Sequence, residues 1–113
     1  MGDCVFCQII AKKIKAKIEY ENDSLVAIQD IHPQAPVHLL IIPKQHISDV
    51  NALEKHHAVL LAQMIFCAKE LASQKKTGEG YRLVLNNGAK AGQSVFHLHL
   101  HLLAGRQMNW PPG

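Results

Sequence analysis

The strongest constraint on this chain is a strict alternation of histidine and leucine near its carboxyl end. The stretch from Phe96 to Leu103 contains the run His-Leu-His-Leu-His-Leu, which begins at His97. Side chains of a β-strand point alternately to its two faces, so the run predicts a strand with buried leucines and three imidazoles on one open face. Same-face neighbours lie about 6.6 Å apart, so the row spans about 13 Å, enough to line a phosphate and the groups on either side of it.

Three imidazoles in register indicate chemistry rather than surface decoration. A neutral imidazole is a nucleophile near pH 7 because its ordinary pKa is about 6.5, and a protonated neighbour would stabilise a negatively charged phosphate. A metal site is the competing interpretation, since histidines two residues apart can share an ion. No carboxylate lies on this strand to complete a metal triad.

The other periodic stretches predict an α+β fold. Asp3 is placed to cap a short first helix, and the pair Asn51 and Glu54 resembles a capping box that opens a long helix over about residues 54–74. Short apolar or alternating stretches predict five strands, over residues 15–20, 24–30, 37–42, 81–85 and 95–103. Strands this close in sequence are expected to pair antiparallel.

Length and composition exclude several classes of protein. The 113 residues fit one domain, which we expect to comprise a core over residues 1–103 and an extended tail over 104–113. The net charge of +3 without a basic stripe gives no indication of a nucleic-acid partner. No apolar run resembles a signal peptide or a membrane span, and the odd count of three cysteines favours a reducing compartment, so we expect a cytoplasmic protein.

A polar loop precedes the histidine run. Asn86 and the sequence Gly92-Gln93-Ser94 supply amide and hydroxyl donors, and glycine allows backbone N–H groups to face an anion. This is a weak signal by itself, and it gains weight from its position directly before His97.

Several sequence blocks resemble one family. Residues 93–103, Gln-Ser-Val-Phe-His-Leu-His-Leu-His-Leu-Leu, are similar to the His-x-His-x-His signature of the histidine triad (HIT) family. The tail 104–113 and the blocks 30–36 and 43–47 resemble its Hint branch, the purine nucleoside phosphoramidases. The resemblance implies a five-stranded antiparallel sheet with two helices, and a homodimer whose sheets join into one of ten strands.

The same resemblance implies a reaction and a set of site residues. His99 would attack the α-phosphorus of a purine nucleotide of the AMP or GMP type, and water would hydrolyse the nucleotidyl-histidine, with no cofactor required for catalysis. The implied catalytic residues are His97, His99, His101 and Ser94. The implied nucleotide-binding residues are Phe6, Ile9, Asp30, Ile31, Asn86, Gln93, Ser94, His99, His101 and Trp110.

Within this set the resemblance implies distinct roles. Asp30 would bind the ribose hydroxyls, and the base would be enclosed by Phe6, Ile9 and Ile31. The tail with Trp110 would complete the active site of a partner subunit. Ile28 and Gln29 stand where the branch often has an aromatic residue and a histidine, which implies an altered purine preference.

The sequence Cys4-Val5-Phe6-Cys7 is a second candidate site. Residues three apart share a helix face, and two cysteines with two histidines can form a closed tetrahedral zinc site. Some HIT proteins bind zinc in this way, which implies a structural zinc held by Cys4, Cys7, His46 and His97. The alternative is a pair of buried cysteines that act as small hydrophobic residues. Structural or surface roles are expected for Cys67, His32, His38, His56 and His57.

Other functions remain open at this point. A dinucleoside polyphosphate hydrolase of the same superfamily would use the same histidines, and so would a nucleotide-binding regulator or scaffold with little turnover. A metal-dependent oxygenase or a structural zinc module is a third class, and either would lose all function with a chelator.

Overall fold

A computed structural model describes residues 3–113, and its centre is one antiparallel sheet with the strand order β1-β2-β3-β5-β4. The strands are β1 (Ile18–Glu21), β2 (Leu25–Gln29), β3 (Val37–Pro43), β4 (Tyr81–Val84) and β5 (Leu100–Ala104). The helices are α1 (Val5–Ile10) and α2 (Ala58–Gln74). The predicted α+β class, with five antiparallel strands and two helices, is confirmed. No helix within the described residues is long and apolar enough to cross a membrane.

The sheet separates two apolar layers. Alternate residues of β2, β3 and β5, among them Ile41 and Leu102, pack beneath α2 and form the larger core. On the opposite face Phe6 and Ile9 of α1 pack against a smaller set that includes Ile28 and Leu40. The leucines of the histidine run belong to the α2 layer, as the alternation predicts, so the imidazoles emerge on the side of α1.

The start of α1 differs from the prediction. Cys4, and not Asp3, is the N-cap residue, and its Sγ accepts a hydrogen bond from the backbone N–H of Cys7 at 3.4 Å. Sulfur is a weak acceptor. The packing of α1 against the sheet also places Cys4 Sγ 3.3 Å from His97 Nδ1, so this N-cap residue has a second contact, with the histidine run.

The entry to α2 also differs. Asn51 lies inside a separate 3₁₀ turn, Val50–Ala52, which is capped by Asp49. A second 3₁₀ turn, Lys55–His57, follows, and its capping box joins Glu54 to His57. The helix therefore begins at Ala58. The buried imidazole of His57 accepts a hydrogen bond from the Glu54 N–H at 2.9 Å, a capping role that the sequence pattern did not indicate.

The histidine run is only partly a strand. β5 begins at Leu100 rather than at residue 95, so His97 and His99 precede it. At its other end β5 includes Ala104, and the tail therefore begins at Gly105, one residue later than expected. Gly105 has a φ of +91°, and a Cβ there would lie 3.0 Å from the Cβ of Pro36, so glycine is required at this exit.

Candidate active site

The imidazoles of His99 and His101 line a cleft of about 240 Å³ on the α1 face of the sheet. Phe6, Ile9 and Ile28 line its apolar part, while its polar rim includes Asp30 and Ser94. A larger cleft of about 380 Å³ lies between β2 and α2, but no histidine lines it, so size does not identify the reactive site.

The expected open face of three imidazoles is wrong. His97 has 0% of its surface exposed and His99 has 8%, because α1 and the segment after β3 cover this end of the row. The Phe6 ring packs edge-on against His99, with ring centroids 5.1 Å apart. Only the mouth of the cleft gives access to His99.

The hydrogen bonds of His99 fix its tautomer. Its Nδ1 lies 2.7 Å from the carbonyl oxygen of His97, and because a carbonyl only accepts, Nδ1 carries the proton. The lone pair of the neutral ring is then on Nε2. Burial lowers the pKa of His99 below its usual value, against smaller opposing effects of the His97 carbonyl and Asp30. The ring is therefore neutral near pH 7 and presents an unprotonated Nε2.

His101 has the opposite tautomer because of His38. The backbone N–H of Gln34 donates to His38 Nδ1 at 3.0 Å, so neutral His38 carries its proton on Nε2. That Nε2–H donates to His101 Nδ1 at 2.9 Å, which leaves the proton of His101 on its Nε2. His99 and His101, with ring centroids 5.0 Å apart, thus offer a lone pair and an N–H donor side by side.

A protonated imidazole beside the attacking histidine was expected to stabilise the phosphate, and burial of His101 disfavours a positive charge on that ring. Burial, with smaller contributions from His99 and His38, lowers the pKa of His101 to about 4, although Asp30 acts in the opposite direction. Burial likewise lowers the pKa of His38. Near pH 7 His101 is neutral, and it contributes a hydrogen-bond donor rather than a positive charge.

A carboxylate does lie next to the histidine row. Asp30, at the end of β2, has its Oδ2 3.4 Å from His38 Nε2, and its Oδ1 accepts the N–H of His32 at 2.8 Å. Asp30, His38 and His101 have the composition of a metal triad. However, binding a metal at His38 Nε2 would move the proton to Nδ1, where the Gln34 N–H already donates. The arrangement is therefore that of a hydrogen-bonded relay.

The cysteines of α1 form a second cluster with His46 and His97. We call these four residues, Cys4, Cys7, His46 and His97, the Cys–His cluster. His97 Nδ1 lies 3.3 Å from Cys4 Sγ, 3.6 Å from Cys7 Sγ and 3.1 Å from His46 Nδ1, and Cys7 Sγ lies 3.3 Å from His46 Nδ1.

These distances fit a tetrahedral metal centre. Zn–N and Zn–S bonds of about 2.1 and 2.3 Å give tetrahedral edges of about 3.4 to 3.8 Å, and each of the four distances lies within about 0.3 Å of the corresponding edge. His97 Nε2–H donates to the carbonyl of Pro43 at 2.7 Å, which leaves Nδ1 free to ligate, as is usual for a metal-bound histidine. Burial and Cys4 raise the pKa of the Cys7 thiol, and a divalent cation would reverse this by favouring the thiolate.

Comparisons with known proteins agree with this geometry. The family model described as "Scavenger mRNA decapping enzyme C-term binding" matches residues 3–110. An uncharacterised HIT-like protein of Synechocystis sp. is 48% identical over 111 residues, which cover 98% of this chain and 97% of that protein. The chain belongs to the HIT family.

Other relatives of this HIT protein have more specific names. A 14 kDa zinc-binding protein of Brassica juncea is 44% identical over 113 residues, covering 98% of this chain and 100% of the relative. The adenylylsulfatase HINT1 of Arabidopsis thaliana is 43% identical over 111 residues, covering 96% of this chain and 76% of that protein. The crystal structure of a HIT family hydrolase from Legionella pneumophila has a TM-score of 0.97 and 49% identity, covering 98% of this chain and all of that one.

The loop before His97 of this HIT protein is organised by Gln93. Its buried amide accepts the N–H of Gly88 at 2.8 Å and donates to the carbonyls of Ser48 and Val95, at 2.9 and 3.1 Å. These bonds give Gln93 the role of fixing the loop, and its contact with phosphate stays a prediction. Gly92 lines the cleft with a φ of +97°, and a Cβ there would lie 3.9 Å from Nδ2 of Asn86.

Two predicted nucleotide contacts lie at the periphery. Ile31 is 86% exposed, and it lies on the rim of the cleft rather than in its apolar floor. Trp110 is 84% exposed and does not line the cleft of its own chain, so its role toward a partner subunit stays a prediction.

His38 is the site residue that the sequence analysis missed. It was assigned a structural or surface role because it lies near the proline-containing loop and belongs to no cluster of candidate site residues in the sequence. Strand alternation could have indicated its position, because His38 lies on the same sheet face as Leu40. Leu40 pairs directly with His101 across β3 and β5, so His38 and His101 are neighbours on that face.

Proposed function

We propose that this HIT protein hydrolyses the P–N bond of purine nucleoside 5′-phosphoramidates and the P–O bond that joins phosphorus to the carboxylate in related aminoacyl-adenylates. One observation carries the proposal: the cleft contains an imidazole lone pair on His99 Nε2 beside an N–H donor on His101 Nε2. The first can attack the α-phosphorus, and the second can hold a non-bridging oxygen as negative charge develops.

In the first step His99 Nε2 forms a bond to phosphorus and the bond from phosphorus to the amine breaks. The departing amine takes a proton from the Ser94 hydroxyl or from His101 Nε2–H. The group that gave the proton takes another from solvent, so it is in its original protonation state at the end of the step. In the second step water attacks phosphorus, the bond to His99 Nε2 breaks with its electron pair returning to the ring, and the nucleoside 5′-monophosphate leaves. The proton of the attacking water passes to solvent through the same relay groups and replaces the one taken up in the first step. The Nδ1–H of His99 stays bonded to the His97 carbonyl throughout and stabilises the positive charge on the ring.

The nucleotide would lie with its base toward α1. Phe6, Ile9 and Ile28 supply an apolar floor, and the Asp30 carboxylate at the rim is placed for the ribose hydroxyls. Asn86 and Ser94 would line the phosphate end. We assign no catalytic metal to this reaction, because the two imidazoles supply the nucleophile and the donor.

A zinc ion in the Cys–His cluster would have a structural role. The cluster has no open coordination position, which is typical of structural zinc sites. When bound, the ion would crosslink α1 to the histidine run. The name of the Brassica relative and the tetrahedral distances support this proposal.

We further propose a homodimer joined through β4. This strand is at the edge of the sheet, and Arg82 on it donates to the Asn109 carbonyl at 2.8 Å, so the tail lies beside the same edge. Antiparallel pairing of two β4 edges would give a ten-stranded sheet and bring each tail close to the partner.

The decisive experiment compares turnover of adenosine phosphoramidate, adenylyl sulfate and diadenosine polyphosphates by the wild-type protein. Adenylyl sulfate is included because of the name of the Arabidopsis relative. The proposal expects the highest kcat/KM for the phosphoramidate. Preference for the polyphosphate would favour the other hydrolase branch, and tight AMP binding with negligible turnover of all three would indicate a regulator or scaffold.

A further inference from the structure

The segment that carries the nucleophile lies outside the sheet. β5 begins at Leu100, so the ladder to its neighbouring strands does not include His97, Leu98 or His99. The segment is held instead by two backbone carbonyls, one from the last residue of β3 and one from the chain that follows β3. His97 Nε2–H donates to Pro43 at 2.7 Å, and the Leu98 N–H donates to Ile47 at 2.6 Å.

The Cys–His cluster joins the same pieces of chain. His46 comes from the segment that holds Leu98, Cys4 and Cys7 come from α1, and His97 comes from the segment before β5. From α1, Phe6 also packs against His97 and His99, with ring centroids 5.9 and 5.1 Å away. One ion at the cluster would therefore fix three segments that meet around the nucleophile.

His97 connects this cluster to the chemistry. Its side chain belongs to the cluster, and its carbonyl accepts the Nδ1–H of His99 at 2.7 Å, which sets the lone pair on Nε2. We infer that His97 is a positioning residue, and that a metal in the Cys–His cluster sets the tautomer and orientation of His99 through it. The inference rests on the proposed metal centre and on His99 as the nucleophile.

A purely structural metal has different consequences. It would stabilise the fold through α1, and its removal would lower the melting temperature without changing the tautomer of His99 in the molecules that remain folded. Positioning predicts a change at His99 itself. A misplacement of about 1 Å can cost about 10²-fold in rate.

The test uses ¹⁵N-histidine-labelled full-length protein, loaded with Zn²⁺ or treated with a chelator, below its melting temperature. In the loaded protein we expect His99 to show one tautomer with the proton on Nδ1. After chelation we expect an exchange-averaged mixture of tautomers, a fall in kcat of about 10²-fold, and a change of less than about threefold in the Kd for AMP.

Matched variants separate positioning from loss of fold. His46→Ala should behave like the chelated protein, whereas His46→Cys keeps a closed Cys₃His site and should retain the His99 tautomer with Zn²⁺. Cys67→Ser makes the same sulfur-to-oxygen change as Cys4→Ser but lies outside the cluster, on α2. Cys67→Ser should retain the tautomer and Cys4→Ser should not.

Chelation or His46→Ala could unfold the chain. In that case, replacement of Zn²⁺ by the larger diamagnetic ion Cd²⁺ in folded protein tests whether the metal positions His99. Positioning predicts larger shifts of the His99 ring nitrogens than of those of His56. An unchanged His99 in metal-free or Cd²⁺-loaded folded protein overturns the inference, and so does failure of the wild-type chain to bind Zn²⁺. The NMR result needs no substrate, so absence of phosphoramidate turnover would count against the proposed function alone.

Discussion

At the scale of single residues, the site is built from imidazoles that differ only in what each ring nitrogen contacts. A carbonyl at Nδ1 leaves the lone pair of His99 on Nε2, and an N–H at Nδ1 leaves His101 with a donor at Nε2. His97 is held by a third carbonyl at Nε2 and offers Nδ1 to the Cys–His cluster. One residue type thus supplies three functions, because backbone groups select the tautomers.

The substitution His99→Ala should abolish turnover and preserve binding. Only the attacking atom and the ring that Phe6 covers are lost, so we expect kcat to fall by about 10³-fold or more, while the Kd for AMP changes by less than about tenfold. Single-turnover kinetics and calorimetry measure the two quantities. His56→Ala, an exposed histidine outside the cleft, is the control, and turnover of His99→Ala near that of the control would exclude His99 as nucleophile.

The donor role of His101 depends on His38. We expect His38→Leu to lower kcat by about 10²-fold, because His101 would be free to place its proton on Nδ1. His38→Gln should recover part of the loss, since its amide can donate to the same nitrogen. Steady-state kinetics of both variants test this, with folding checked by circular dichroism, and equal activities would show that the hydrogen bond has no catalytic importance.

Acid inactivation should occur well below the ordinary histidine pKa. His101 faces His99, His38 and Asp30, and its pKa of about 4 means that it stays neutral down to mildly acidic pH. Burial also lowers the pKa of His99. We therefore expect kcat/KM to stay level as the pH falls through about 6.5 and to decrease at lower pH, where protonation of His99 removes the attacking lone pair. A pH–rate profile whose acid limb is centred at 6.5 or higher would contradict the burial effect.

The same pKa shifts predict how stability depends on pH. In the unfolded chain His38 and His101 bind protons as the pH falls through about 6.5, whereas the folded protein holds both neutral to lower values. The unfolded state then binds more protons, so the free energy of unfolding should decrease between pH 6.5 and 4. Urea titrations across this range provide the measurement.

At the scale of secondary-structure elements, β5 is the strand that connects the candidate active site to the rest of the sheet. It pairs with β3 on one side and β4 on the other, and it leads directly from the nucleophile to the tail. Its exit depends on Gly105, where positive φ and the close approach of Pro36 both exclude a side chain.

A pair of glycine substitutions tests this exit. Gly105→Ala should destabilise the protein by about 1–3 kcal/mol, because alanine is strained at this φ and must displace Pro36. Gly80→Ala is the matched control, since its Cβ would meet nothing within 4 Å and its φ is not positive, so we expect a change within about 0.5 kcal/mol. Chemical denaturation measures both, and equal effects would remove the special role of Gly105.

At the scale of the whole molecule, the tail is the part whose role depends on a second copy. Trp110 is exposed in the single chain, and the Arg82 bond keeps the tail near the β4 edge. Aromatic residues of this kind are enriched at interfaces. We therefore expect the tail to reach the leaving-group side of a partner's site across the proposed dimer.

Deletion of residues 109–113 should change selectivity more than affinity. We expect the ratio of kcat/KM values across several amine leaving groups to change severalfold, with little change in the Kd for AMP and with the dimer retained on size-exclusion chromatography with light scattering. A matched Trp110→Ala variant shows how much of the effect belongs to the indole. A truncated protein with the wild-type ratio of activities would contradict this role.

The sequence by itself determined the features of the protein that depend on local periodicity. The alternation of histidine and leucine put imidazoles on one side of the chain and leucines in the α2 core, and the Cys-x-x-Cys spacing put two thiols on one side of α1, because both patterns follow from backbone geometry alone. Of the blocks that resemble the HIT family, the one over residues 93–103 lies in such a stretch, and the blocks together allowed the family and the five-stranded fold to be predicted.

The tertiary structure decided what each of these side chains does. His38 reaches His101 only because β3 and β5 pair, although the two residues are 63 positions apart. The burial of His97 and His99 comes from α1 and from the segment after β3, so the open face and the charged neighbour expected from the run became a buried, neutral pair. Tautomers and pKa values depend on partners that are distant in sequence, and no local pattern of residues encodes them.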